Sequence, residues 1–356
     1  MRTFSHPGYK RFLLSVGCLL SIHFTALFFL TLFRLVFFFS ANYDFPDQEH
    51  VGFMSIWPAF IRGVWFDNVI ACYILLIPLV AVSISALFNY YGKILWNVTC
   101  IFFSLFYGIV LLVTAANIPY FQYFFKIINS SVFNWFGYMN TTAGMVFGET
   151  SYYPPLIGFL LTLVLFIWLM RRLIRHFQRL LNTKNPSVFW LDRIYIFLTA
   201  GICIGLCLFG IRGRTGYNPI KVSAAYYCTD PFLNQLGISP VFNLLSSTLD
   251  DSRKENRYLH LMPENEALEN TRHYLNRPGI EGISPIARQI NASDSLRRPN
   301  IVLIFMESMS AHLMKRFGQQ KELTPFLDSL YRQSLAFSNF YSSGIHTNHG
   351  MYATLY

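Results

Sequence analysis

The stretch FLLSVGCLLSIHFTALFFLTLF, residues 12–33, determines how the rest of the chain must be interpreted. It contains no Asp, Glu, Lys or Arg, and it exceeds the roughly 20 apolar residues that a helix needs to cross a bilayer. It is also longer than the apolar core of a cleavable signal peptide, about 7–15 residues. Four further apolar runs lie at 69–88, 94–116, 155–170 and 194–211. We therefore predict five transmembrane helices, the first of them a retained anchor.

The composition agrees with this interpretation. Of the 356 residues, 53% are hydrophobic and only 13% are charged, whereas soluble domains contain about 25% charged residues. A disordered chain and an ordinary soluble domain are both excluded. The formal net charge is +10, but the basic residues lie mainly between apolar runs rather than on one soluble face, so no nucleic-acid partner is expected. Most cysteines lie inside apolar runs, and no disulfide framework is predicted.

Lysine and arginine collect on one side of the predicted spans, most densely in the segment that contains Arg171, Arg172 and Arg175. Short positively charged loops stay in the cytoplasm. We therefore predict a multi-pass membrane protein with a cytoplasmic N-terminus and an extracytoplasmic C-terminal part. Arg34, at the outer end of the first span, is interpreted as a snorkelling residue. The aromatic segment 119–136 is interpreted as an interfacial helix.

Changes in composition divide the chain into three predicted parts. Residues 1–211 form a five-helix transmembrane domain, 212–298 a connector with short helices, and 299–356 the beginning of an external α/β domain. The run NIVLIFM at 300–306 is typical of a buried parallel strand. Thr324 and Pro325 predict an N-cap and the first helical residue. A second strand follows at 335–341, and a loop at 342–350.

Two residues with complementary chemistry follow these predicted strands. Glu307 ends the first strand and Thr347 lies in the loop after the second, where α/β domains form their sites. A carboxylate is a hard ligand for Mg²⁺ or Mn²⁺, and a metal-bound hydroxyl is a stronger nucleophile. Spacing alone leaves a second interpretation open, in which Glu307 faces solvent and Thr347 caps a helix.

Four blocks in this region occur in a recognisable order: PNIVLIFMES at 299–308, LTPFLDSL at 323–330, FSNFY at 337–341 and GIHTNHG at 344–350. Together they resemble the opening blocks of the lipoteichoic acid synthase-like family, within the alkaline phosphatase and sulfatase superfamily. Members of that family also have five spans and an external catalytic domain, and the resemblance implies a location in the bacterial cytoplasmic membrane. The resemblance implies a transferase that moves phosphoglycerol or phosphoethanolamine from a membrane phospholipid to a cell-envelope acceptor, a glycan or glycolipid, through a phospho-threonine.

Residue by residue, the resemblance implies that Thr347 is the nucleophile and also contacts the metal. Glu307 matches a metal ligand, and the implied cofactor is Mn²⁺ or Mg²⁺. The distal Asp-His pair that completes the family's site has no match, so we expect the 356-residue chain to be the front part of an enzyme and inactive alone. His346 and His349 are candidate contacts to substrate phosphate or zinc ligands, with solvated loop residues as the alternative. His312 is interpreted as a helix-surface residue.

Other functions remain open at this point. A sulfatase or phosphodiesterase would use the same scaffold, although no Cys/Ser-X-Pro-X-Arg motif surrounds Thr347. A truncated, non-catalytic membrane protein would retain the spans without the chemistry. A transporter is disfavoured because the spans contain few charges and show no matched pair of interrupted helices.

Overall fold

The computed structural model describes residues 6–41, 53–181, 190–253, 261–275, 300–307, 309–343 and 347–355. The chain forms two compact units, Met1–Leu259 and His260–Tyr356. Long helices dominate the first unit, whereas short helices joined by irregular segments make up the described part of the second. The predicted division at 211 and 298 stays a prediction.

Five long helices form the frame of the first unit. They are α1 (Pro7–Ser40), α2 (Phe53–Leu87), α3 (Lys93–Phe124) and, after the short helix α4 (Met139–Gly148), α5 (Tyr153–Leu181) and α6 (Trp190–Arg212). Even α6, with 23 residues, is roughly 34 Å long at 1.5 Å per residue, which exceeds a hydrocarbon core of about 30 Å. All five are long and apolar enough to cross a membrane. The prediction of five such helices is confirmed and is compatible with a multi-pass membrane protein.

The helices extend beyond the apolar runs that predict them. α2 begins at Phe53, well before the apolar run 69–88 that predicts it. Polar residues lower the hydropathy of its first turns, yet they have partners in the fold. Arg62 donates from Nε to the carbonyl of Ala224 at 3.2 Å, and its guanidinium lies 4.5 Å from the ring centre of Tyr227. Tertiary contacts thus sustain a helix that hydropathy alone does not predict.

The long helices pack in two groups around a continuous apolar core. α2 packs against α1 and α6, α3 packs against α5, and α1 contacts both groups. Phe12, Phe66 and Phe103 are fully buried, and Tyr107 meets Phe166 edge to face with ring centres 5.3 Å apart. Large apolar side chains cover the outer faces of the bundle, as expected of helices that face lipid.

Arg34 does not snorkel. Its side chain is 4% exposed, and Nη2 donates to Oδ2 of Asp67 at 2.6 Å. Nη1 donates to the carbonyl of Leu236 and, at 3.1 Å, to that of Ile238. A Cβ on Gly63 would collide with the guanidinium, so the absence of a side chain there makes room for it. The snorkelling interpretation is wrong, because a carboxylate and two carbonyls satisfy this charge inside the protein.

The chain after α6 folds back onto the bundle. A 3₁₀ helix at Val222–Ala225 is followed by α7 (Pro231–Leu236) and α8 (Pro240–Ser252). Asp230 caps α7, accepting from the amide of Leu233 at 2.9 Å, and Pro231 is the first helical residue, a common start for a helix. Phe232 is buried against the aromatic rings of Phe37 and Phe121.

The aromatic segment 119–136 differs from its predicted form. α3 continues to Phe124, and a 3₁₀ helix then spans Ser130–Tyr138. Phe125 adopts a left-handed conformation with φ of 53° and ends α3. Side chains fix the chain between the two pieces, since the amide of Ile128 donates to Oδ1 of Asn117 at 3.0 Å. Two helical pieces therefore replace the single interfacial helix.

The described residues of the second unit form only helices and irregular structure. They are α9 (Glu264–Leu275), 3₁₀ helices at Ala311–Leu313 and Lys315–Phe317, α10 (Pro325–Gln333) and α11 (Thr347–Leu355). No strand occurs among these described residues, so the strands predicted at 300–306 and 335–341 are not formed and the α/β domain is not shown. Ile301 and Leu335 are each 88% exposed, whereas a parallel strand needs hydrogen-bonded neighbours and a cover on both faces.

The predicted orientation can be measured with fusions of a reporter alkaline phosphatase, which is active only after export. A fusion after residue 215 is expected to be active, because five crossings from a cytoplasmic N-terminus place this point outside. A fusion after Arg179, in the basic C-terminal turn of α5, is the matched control and is expected to be inactive. The opposite pattern would reverse the topology and remove the basis for an extracytoplasmic enzyme.

Candidate active site

Two chain segments place the residues that the sequence singled out. Thr347 is the first residue of α11, so it lies beside the amide groups that have no partner inside the helix. Glu307 lies in a turn directly after the apolar segment 300–306. Both side chains are exposed, which leaves them accessible to a substrate.

The structure brings Glu307 and Thr347 together although they are 40 positions apart. The Thr347 hydroxyl donates a hydrogen bond to Oε1 of Glu307, with 2.8 Å between the oxygens. The hydroxyl proton therefore points towards a carboxylate. An ionised acceptor makes this one of the stronger kinds of hydrogen bond. A nucleophile with a base within about 2.6–3.2 Å is a recurring arrangement in covalent catalysis.

The same pair fits part of a divalent-metal site. Both groups are oxygen donors, which Mg²⁺ and Mn²⁺ prefer. Neighbouring ligands of octahedral Mg²⁺ lie about 3 Å apart, because each metal–oxygen bond is about 2.0–2.1 Å, and the observed 2.8 Å agrees with this. Within the described ranges, no group of three or more His, Cys, Asp or Glu side chains could hold a metal. The two residues could supply two ligands, and Mn²⁺ or Mg²⁺ stays a prediction.

The three candidate histidines occupy different places. His349 lies in α11, two residues after Thr347, and is exposed. Positions two apart in a helix do not face each other, so the helix geometry turns His349 away from the side of α11 that carries Thr347. His312 lies in the exposed 3₁₀ helix Ala311–Leu313. His346 lies outside the described residues.

Asp328 connects α10 to the 3₁₀ helix Lys315–Phe317, a contact that was not predicted from the sequence. Its carboxylate accepts from the amides of Lys315 and Arg316 at 3.2 and 3.3 Å and from the Thr324 hydroxyl at 3.1 Å. Desolvation acts to raise the pKa of Asp328, but these donors, with the charge of Arg332, outweigh it and lower the pKa. Thr324 was expected to cap α10 with its side chain, yet it makes no such cap. The spacing Thr324-X-X-X-Asp328, one residue longer than a capping box, was the available signal.

Comparison with known proteins supports an enzyme scaffold for this region. Residues 299–356 match the family model described as Sulfatase. This match supports a relation of the segment to the alkaline phosphatase and sulfatase superfamily. It contains both Glu307 and Thr347, and it indicates a sulfatase-like hydrolase or transferase. Neither a curated protein nor a solved structure matches the chain.

Proposed function

We propose that the protein is a membrane-bound, metal-dependent transferase of the lipoteichoic acid synthase-like type. It would move a phosphoglycerol or phosphoethanolamine headgroup from a membrane phospholipid to a cell-envelope glycan or glycolipid. The hydrogen bond between Thr347 and Glu307 carries this proposal, since it pairs a nucleophile with a proton acceptor inside the segment that matches Sulfatase. The five membrane-length helices support a substrate that is itself a lipid.

In the first step Oγ1 of Thr347 attacks the phosphorus of the phospholipid. An oxygen–phosphorus bond forms, and the bond from phosphorus to the diacylglycerol oxygen breaks. Glu307 accepts and keeps the Thr347 proton, and the departing oxygen, on the opposite side of the phosphorus, takes a proton from water, so that diacylglycerol leaves as a neutral alcohol. The headgroup remains on Thr347 as a phosphodiester. Covalent catalysis of this kind divides one difficult displacement into two easier ones.

In the second step an acceptor hydroxyl attacks the same phosphorus. The bond from phosphorus to Oγ1 of Thr347 breaks and Glu307 returns its proton to Oγ1, while the acceptor hydroxyl releases its own proton to water. The N-terminus of α11 favours the phosphate oxygens through its free amides and the helix dipole. A divalent cation held by Glu307 and Thr347 would stabilise negative charge on the phosphoryl oxygens and lower the pKa of the hydroxyl.

Hydrolysis on the same scaffold is the second candidate function, and the match to Sulfatase favours it. Water would then replace the acceptor hydroxyl in the second step. The segment 342–356 contains neither cysteine nor proline, so it lacks the motif that common sulfatases mature. This favours a phosphodiester over a sulfate ester as the substrate.

The proposal is tested with a chain that also supplies the distal Asp-His pair that the resemblance implies, reconstituted in vesicles that contain a phospholipid with a labelled headgroup. We expect Mn²⁺-dependent formation of diacylglycerol and appearance of the label on an added glycolipid acceptor. Label released only as free headgroup phosphate would identify a phosphodiesterase instead. Release of sulfate from a sulfate ester, with no diacylglycerol from any phospholipid, would reject both phosphodiester functions.

A further inference from the structure

A groove of about 540 Å³ lies between α3 and α5, in the first unit and outside the candidate active site. Trp96 and Asn97 line it from the first turn of α3, and Arg171, Arg175 and Gln178 line it from the last turns of α5. The two helices run antiparallel, so these ends belong to the same side of the bundle. In the predicted topology this is the cytoplasmic side.

The helical repeat explains why these residues share one groove. Arg171, Arg175 and Gln178 are separated by four and three positions, so they form a single stripe along α5. Between them, Ile174 is 5% exposed and anchors this stripe to the bundle. Arg171 and Arg175 are both exposed. The groove therefore has an apolar floor and a basic wall.

The positive charge of this wall lacks carboxylate partners on its own helices. Neither α3 nor α5 contains an aspartate or glutamate in its sequence. Asp192, at the start of α6, is already engaged by Nδ1 of His6 at 2.8 Å and by the amide of Gly8 at 3.3 Å. Within the described ranges, the ion pairs include neither Arg171 nor Arg175. The basic wall can therefore bind an anion.

A buried donor provides an independent indication of a ligand. Trp96 is only 1% exposed and lines the groove, yet its Nε1 has no hydrogen-bond partner in the described structure. Buried indole N–H groups usually have a partner. Nε1 has almost no accessible surface in this structure, so a phosphate oxygen that pairs with the guanidinium groups would accept from it only after the Trp96 ring shifts towards the groove.

The position along α5 indicates which kind of anion binds. The apolar run of α5 ends at 170, and the helix continues from Arg171 to Leu181, so the basic stripe begins at the depth of the lipid headgroups. Basic pockets between transmembrane helices on the cytoplasmic side are recognised binding places for anionic headgroups. We propose that this groove binds the phosphate of an anionic phospholipid from the leaflet at this end of the bundle, a site separate from the donor lipid of the proposed reaction.

The test is a titration of the purified full-length protein with dioleoyl phosphatidylglycerol, followed by native mass spectrometry. We expect a bound lipid in the unaltered protein and at least about tenfold weaker binding in Arg171→Gln/Arg175→Gln, because each basic residue contributes to anion attraction at this depth. Arg172→Gln/Arg179→Gln is the matched control. It removes the same charge from the same helix without touching the groove, and we expect less than about a threefold change.

Trp96→Phe removes the N–H donor together with one ring of the indole, and it is expected to weaken lipid binding several-fold while preserving the helix content seen by circular dichroism. If Arg171→Gln/Arg175→Gln does not fold, Trp96→Phe tests the proposal in its place. Equal losses in both double variants would assign the effect to diffuse surface charge and overturn the proposal. Binding of dioleoyl phosphatidylcholine or of free glycerol phosphate as tightly as phosphatidylglycerol would overturn it as well. If this lipid site does not exist, the proposed headgroup transfer at Thr347 is not affected, because the two proposals rest on different residues.

Discussion

Replacing Thr347 with alanine is expected to lower headgroup release by about a thousandfold or more and to prevent formation of any covalent intermediate. The substitution removes the oxygen that forms the bond to phosphorus, so no metal concentration can compensate. Initial rates on the labelled phospholipid measure the loss. Mass spectrometry of the peptide 342–356 measures the intermediate. Thr347→Ser is the matched control, since it retains a hydroxyl at the same position of α11 and should still carry the headgroup.

Glu307→Gln is the comparison variant for this experiment, and it should lose activity for a different reason. The amide can still accept the hydrogen bond seen at 2.8 Å, but it loses the charge that takes the proton and binds a cation. The intermediate should therefore form slowly, and excess Mn²⁺ should restore part of its rate. His349→Ala should be milder than either change. A headgroup phosphate on Ser342 or Ser343 rather than on Thr347 would refute the assigned nucleophile.

The transmembrane helices could be predicted because hydropathy is a property of consecutive residues. Each apolar run is sufficient by itself to require a helix in lipid. The ends of the helices were predictable only in part. Residues 53–68 of α2 are held by partners distant in sequence, such as Ala224 for Arg62. Arg34 shows the same limit, since its partners lie 33 to 204 positions away and hydropathy contains no information about them.

The candidate site was predictable for a different reason. Glu307 and Thr347 each end a local pattern, and the family resemblance supplied the expectation that such residues act together. The structure places them within hydrogen-bond distance. The strands expected around them were not found in the described residues, because the β propensity of 300–306 is realised only when a neighbouring strand supplies hydrogen bonds. The catalytic and metal-binding roles of the two residues stay predictions.

Removing one partner of the buried Arg34–Asp67 pair is expected to destabilise the first unit more than removing one partner of an exposed ion pair. Asp67→Asn should lower the free energy of unfolding by about 3–5 kcal/mol, because it leaves the buried guanidinium without its counter-charge. Arg34 would still donate to the carbonyls of Leu236 and Ile238, but neutral acceptors replace a carboxylate only in part. Reversible unfolding of the purified protein in mild detergent, followed by tryptophan fluorescence, measures the change.

The exposed pair Arg253–Asp250 provides the control. Its charged atoms are 3.4 Å apart, and the side chains are 65% and 54% exposed, so Asp250→Asn should change stability by less than about 1 kcal/mol. The double variant Arg34→Met/Asp67→Leu removes both buried charges and should be less damaging than Asp67→Asn alone, since no uncompensated charge remains. If Asp67→Asn proved as mild as Asp250→Asn, the pair would be a consequence of packing. The connection between α1, α2 and the end of α7 would then depend on the apolar contacts around Phe232.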